Sequence, residues 1–221
     1  MTVVTTQDLG GADAAARWLD RAGGDPEAAG AFVERAVRLV NEALHAHATA
    51  AQDPYVGAVS AEGALTTRLG YGEGEQVADG RWSDARELLA AEPRRRRTEA
   101  LQPAERVAAV LGGRERVEPS EALLMRARLD LNQGRLREAA LQLEAGIAAL
   151  IAEPATSSPA AAEDVNELRA RRDELGAVAE AARRQPLELD PDRAAWLSET
   201  LARAERTLRR RRAAGVSNPQ P

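Results

Sequence analysis

Arginine offers this chain most of its polar chemistry. All 30 basic side chains are Arg, none is Lys, and two runs stand out: Arg94, Arg95, Arg96 and Arg97, then Arg209, Arg210, Arg211 and Arg212. A guanidinium presents a planar fork of donors to a carboxylate or a phosphate, so each run is a candidate contact for an acidic protein surface or for nucleic acid. The first run follows Pro93 and precedes the cap-like Thr98, which reads as a loop between helices. The second ends the last expected helix, where positive charge also complements the helix dipole. Against nucleic acid stand a net charge of −5, the lack of a recognised nucleic-acid motif and an aromatic share of only 3% for stacking bases.

The other reactive residue types exclude more than they suggest. With no Cys and no Lys there is no thiolate nucleophile, disulfide, Schiff-base lysine or lysine on a phosphate loop. The two histidines, His45 and His47, fall two apart on one expected helix, on different faces and short of the i, i+4 spacing that pairs metal ligands. No metal, cofactor or catalytic residue is therefore assigned. The run Leu69 to Glu75, L-G-Y-G-E-G-E, exposes backbone N–H groups, but it lacks the dinucleotide spacing and sets Glu73 and Glu75 where an anion would sit. It reads as a connection, with Tyr71 and the nearby Trp82 as candidates for an anchor or an exposed binding lip. The paired acids Glu163-Asp164, Asp173-Glu174 and Asp190 with Asp192 fit helix starts and solvated faces.

The elements that must carry these residues are helical. Asp25 before Pro26 is a helix cap, and Phe32, Val33, Ala36, Val37, Val40, Ala43 and Leu44 recur at helical spacing behind it. A shorter helix is expected over 12–21, and 51–75 reads as loop with at most one short helix. Further helices are expected over 83–92, from Pro103 to the glycines at 112 and 113, and over 119–132, 136–153, 163–184 and 192–212. No stretch alternates with period two for long enough to predict a sheet. The expected fold class is all-α, a helical array or bundle. No uninterrupted apolar run reaches the roughly 20 residues of a membrane span, and no signal peptide is evident, so a cytoplasmic, non-membrane protein is expected.

The stretch 154–162, P-A-T-S-S-P-A-A-A, is linker-like, so one helical domain is expected over 1–153, a C-terminal antiparallel helical hairpin over 163–212 and a disordered tail over 213–221. In the last helix Ala194, Leu197, Leu201, Ala204 and Leu208 follow the spacing of a coiled-coil seam, available to the preceding helix or to another chain.

Over 120–150 stand Leu123, the small Ala127, the turn at Asn132 to Gly134, then Leu136, Ala139, Leu143, Gly146 and Ile147. In these residues the stretch resembles a single tetratricopeptide repeat. A looser fragment precedes it, G-R-W-S-D-A-R-E-L-L at 80–89 beside G-R-L-R-E-A-A-L-Q-L at 134–143. The resemblance implies a protein-binding or oligomerising helical array and no chemistry. The reading is thus a non-catalytic interaction or adaptor protein that binds a protein partner or itself. A nucleic-acid-associated protein using the Arg runs is the alternative, and an enzyme with an unrecognised helical active site the third.

Overall fold

Asp25 starts the longest helix of the N-terminal half as its sequence dictates: its Oδ1 accepts from the N–H groups of Glu27 and Ala28 at 3.0 and 3.2 Å, with Pro26 at the first helical position. The structure, a computed structural model, describes Val4, residues 8–88, 97–153, 159–184 and 190–216, with backbone alone at 97–102 and 214–216. Among the described residues there are eight α-helices and one two-stranded sheet, so the fold is predominantly helical. No helix among them is long and apolar enough to cross a membrane. Two compact units divide the chain, Met1–Arg94 and Arg95–Pro221.

In the first unit α1 (Ala12–Gly24) packs on an antiparallel hairpin of β1 (Thr67–Tyr71) and β2 (Asp84–Leu88), and α2 (Pro26–Ala51) flanks α1. Ala15, Leu19, Ala22 and Ala29 are its buried apolar side chains. Trp18 meets Phe32 edge to face, with ring centroids 5.3 Å apart. Buried Asn41 pins the following loop to α2: its amide donates to the Val59 carbonyl at 2.9 Å and accepts from the Val59 N–H at 2.8 Å.

The hairpin corrects two expectations. A sheet was not expected, and the helix expected over 83–92 is a strand over 84–88, its residues 89–92 lying outside the described residues. The fragment that matched the 134–143 helix in sequence thus adopts the opposite conformation. Pairing explains the difference: the Ser83 N–H donates to the Tyr71 carbonyl at 2.8 Å, and Ala85 sits opposite Gly70, where an added Cβ would meet Ala85 Cβ at 2.8 Å. Cross-strand contact overrides a local preference for helix.

The second unit begins with α3 (Arg97–Leu111), which contains Pro103 inside it, although Pro103 was expected to open the helix. Then α4 (Pro119–Asn132) and α5 (Leu136–Ala152) form a helical hairpin. Gly134, at φ 73°, makes its turn: the Gly134 N–H reaches the Leu131 carbonyl at 3.0 Å and the Arg135 N–H the Asp130 carbonyl at 2.8 Å, a Schellman closure. Gly146 lets the two helices meet, for a Cβ there would lie 2.9 Å from Leu124 Cδ2 and 3.3 Å from Leu123 Cβ.

The linker expected over 154–162 is a helix from Pro159, with 154–158 outside the described residues, and the unit boundary falls at 94/95 instead. The helix expected over 163–184 is likewise two, α6 (Pro159–Ala170) and α7 (Arg172–Arg184), broken at Arg171. Of these two, α6 packs along α8 (Pro191–Val216) and α7 packs on α5, while α4 and α5 also meet α8, so the simple two-helix hairpin is corrected to a bundle. The reason is a shared core. Leu124, Leu143, Ile147, Leu150, Leu168, Leu175, Leu197 and Leu201 all contribute to one buried cluster, and each full burial is worth roughly 1.5–3 kcal/mol. The α8 seam therefore faces its own chain. Of the tail expected over 213–221, residues 213–216 are helical, because α8 continues to Val216, and 217–221 lie outside the described residues.

Candidate functional site

The second arginine run is largely engaged inside its own unit. Arg210 donates to both Asp164 oxygens at 2.8 and 2.9 Å, Arg211 to Glu153 at 3.2 Å and Arg212 to Glu121 at 3.1 Å. Arg209 is exposed, with no ion pair among the described residues. These contacts clasp the end of α8 to α6, to the end of α5 and to the start of α4. Of the first run, Arg94, Arg95 and Arg96 lie outside the described residues and Arg97 begins α3.

Other arginines do the same work. Arg128 of α4 grips Glu205 of α8 bidentately, both contacts at 2.9 Å. Arg171, at the break between α6 and α7, reaches Thr200 Oγ1 at 2.9 Å and Glu199 at 3.1 Å, with its guanidinium 5.8 Å from the centre of the Trp196 ring. Arg203 pairs with Glu167 and Glu199, and Arg183 with Glu144 and Glu180. The hydrogen bond from Arg203, and after it the charge of Arg171, hold Glu199 below the usual carboxylate range; Arg183 and then Arg184 do so for Glu180.

What this unit leaves open is apolar. In α3 no side chain among those described is buried, and Val107 and Leu111, four apart, are 57% and 83% exposed. Helix α4 exposes Met125 and Leu129 at the same spacing, and Val117 between the two helices is exposed as well. The attachment of α3 that the structure shows is ionic: Arg106 pairs with Glu115 and with buried Glu121, and Glu121 is the chief cause that raises the Arg106 pKa. Sequence reading missed this surface because Val107 and Leu111 look like ordinary core positions of an amphipathic helix. Only the packing shows that nothing among the described residues covers them.

The first unit carries the aromatic candidates. Tyr71 ends β1 and Trp82 precedes β2, and both are half-buried beside a cleft that Trp18 also lines. A neighbouring cavity of about 640 Å³ lies between α2 and the segment 58–70, and it too reaches Trp18 and Trp82. His45 and His47 are exposed on α2 and line neither space. Among the described residues no group of three or more His, Asp or Glu is placed to hold a metal ion. The structure thus brings Tyr71 and Trp82 together and leaves the histidines apart from them. Phe32, Val37 and Val40, first noticed only for helical spacing, prove to be cavity wall.

No family model matches the chain, and no curated protein or solved structure matches it either.

Proposed function

We propose that this chain is a non-catalytic helical interaction protein, whose tetratricopeptide-like α4–α5 hairpin and neighbouring α3 are covered by a protein partner or by a second copy. The observation that carries the reading is α3 itself. A helix of 15 residues with no buried described side chain is marginal in water, since isolated helices of that length barely hold together. An exposed pair on α3 and another on α4 amount to the kind of apolar surface that marks a protein contact. The arginine clasps fit the same reading: by neutralising acids within the bundle they make it rigid, and three guanidinium groups of the run at 209–212 are already occupied by carboxylates. That engagement weighs against nucleic acid as the partner.

The test is the size of the native species. The chain weighs 23.6 kDa, and the wild type in native extract is expected to run as a larger complex. Leu111→Ser with Met125→Ser should return it to monomer size with the α4–α8 bundle still folded, because both side chains are exposed and outside its core. Wild-type protein that runs as a lone monomer would refute the proposal.

A further inference from the structure

The first unit holds a second opportunity, independent of the α3–α4 surface. Its cavity of about 640 Å³ falls in the size range of small-molecule sites, and Trp18, Phe32, Val37, Val40, Leu69 and Trp82 supply apolar and aromatic wall. One charged residue stands out against that wall. Among the described residues Arg68 is the one ionisable residue at the cavity wall, although residues 1–94 carry 15 acids against 8 Arg. Its pair with Glu87, at 3.2 Å, joins two side chains more than half exposed, so it is weak and leaves other donors of the guanidinium free to bind.

We propose that this cavity binds an apolar carboxylic acid, with the body against the aromatic wall and the carboxylate met by Arg68. The charge is complementary. A guanidinium held only by an exposed pair with Glu87 stands at an apolar cavity in a net acidic unit, and an anion gains a charge-assisted hydrogen bond there while a cation gains nothing. Among the described residues the walls contain no acid, histidine or cysteine, so the chemistry proposed is retention and not turnover. The apolar body could be an acyl chain or a fused aromatic ring. The shared feature is the carboxylate head.

The full chain is titrated by calorimetry with dodecanoate and with 1-naphthoate, each beside its matched alcohol. One acid at least should saturate at one molecule per chain, and the acid that does so reports whether the site takes a chain or a ring. The matched alcohol should bind weaker by about tenfold or more, the worth of one charge-assisted hydrogen bond, and Arg68→Gln should abolish that preference. Arg68 is exposed, so this variant is expected to fold. Ala36→Trp, which fills the cavity, should prevent binding. The proposal is overturned if neither acid saturates, if alcohols bind as tightly as acids, or if Arg68→Gln leaves acid affinity unchanged.

Discussion

The two units solve opposite problems with similar material. The second closes a core of leucine, isoleucine and alanine around five helices and then locks its rim with arginine–carboxylate pairs that reach from α8 to α4, α5 and α6. The first owns most of the aromatic side chains, yet among the described residues the apolar side chains it buries are Ala15, Leu19, Ala22 and Ala29, and Phe32, Val33, Val37 and Val40 are left facing a cavity. Large apolar side chains seal a core only when an opposing element brings others to meet them. In the second unit α8 supplies Leu197, Leu201 and Leu208; opposite α2 the 58–70 segment supplies mainly Ala, Gly, Ser and Thr.

The sharpest way to break this comparison is to place one charge in each unit. Leu201→Asp buries a carboxylate in a fully enclosed position and should cost on the order of 4 kcal/mol, enough to unfold the bundle, measured by urea denaturation followed by circular dichroism. Glu121→Ala should cost about 2 kcal/mol, since this buried carboxylate receives Arg106 and Arg212 from two other helices; loss of α3 helicity should accompany it. Gly146→Ala should cost about 1–2 kcal/mol, because overpacking against Leu124 outweighs the gain in helix propensity. Val37→Asp in the first unit should cost under about 1 kcal/mol, because water reaches the cavity wall. If Val37→Asp proves as costly as Leu201→Asp, the first unit is as tightly sealed as the second and the contrast fails.

The smallest effect concerns pH. Glu199 and Glu180 have folded pKa values depressed by Arg203 and Arg183, so their contribution to stability is present above the ordinary carboxylate value and is lost as pH falls through the folded values. Thermal melts should therefore show the wild type losing more stability than Glu199→Gln as pH drops below about 4.5, the ordinary value, with the difference shrinking in salt. An identical acid response in the two proteins would show that Glu199 titrates normally.

Much of the second unit could be read from sequence. Leu201 and Leu208 repeat at seven residues, Pro119 and Gly134 mark the ends of α4, and Asp190 before Pro191 opens α8, its Oδ1 accepting from the Asp192 N–H at 3.0 Å. Each of these signals is local. The strand at 84–88 was not legible, because D-A-R-E-L favours helix until β1 pairs with it, and that pairing is decided 15 residues or so upstream. The break at Arg171 was hidden for a related reason: its partners Trp196, Glu199 and Thr200 lie on another helix. For the candidate sites the lesson is sharper. Sequence places four arginines side by side at 209–212, but which of them meets a carboxylate depends on where α4, α5 and α6 end. Tyr71 and Trp82 lie beside one cleft because β1 pairs with β2, and the exposed faces of α3 and α4 could be found only from their lack of cover.

The account rests most heavily on α3 and α4 as an occupied surface, and site-specific photo-crosslinking in the native host tests it most directly. Benzoylphenylalanine is placed at Leu111, at Met125 and, as a control, at Glu174, which is exposed on α7. The account predicts one discrete higher-mass adduct from positions 111 and 125 and none from 174, with the adduct mass telling a second copy from a different protein. Absence of any adduct at 111 and 125, or the same adducts at 174, would contradict it.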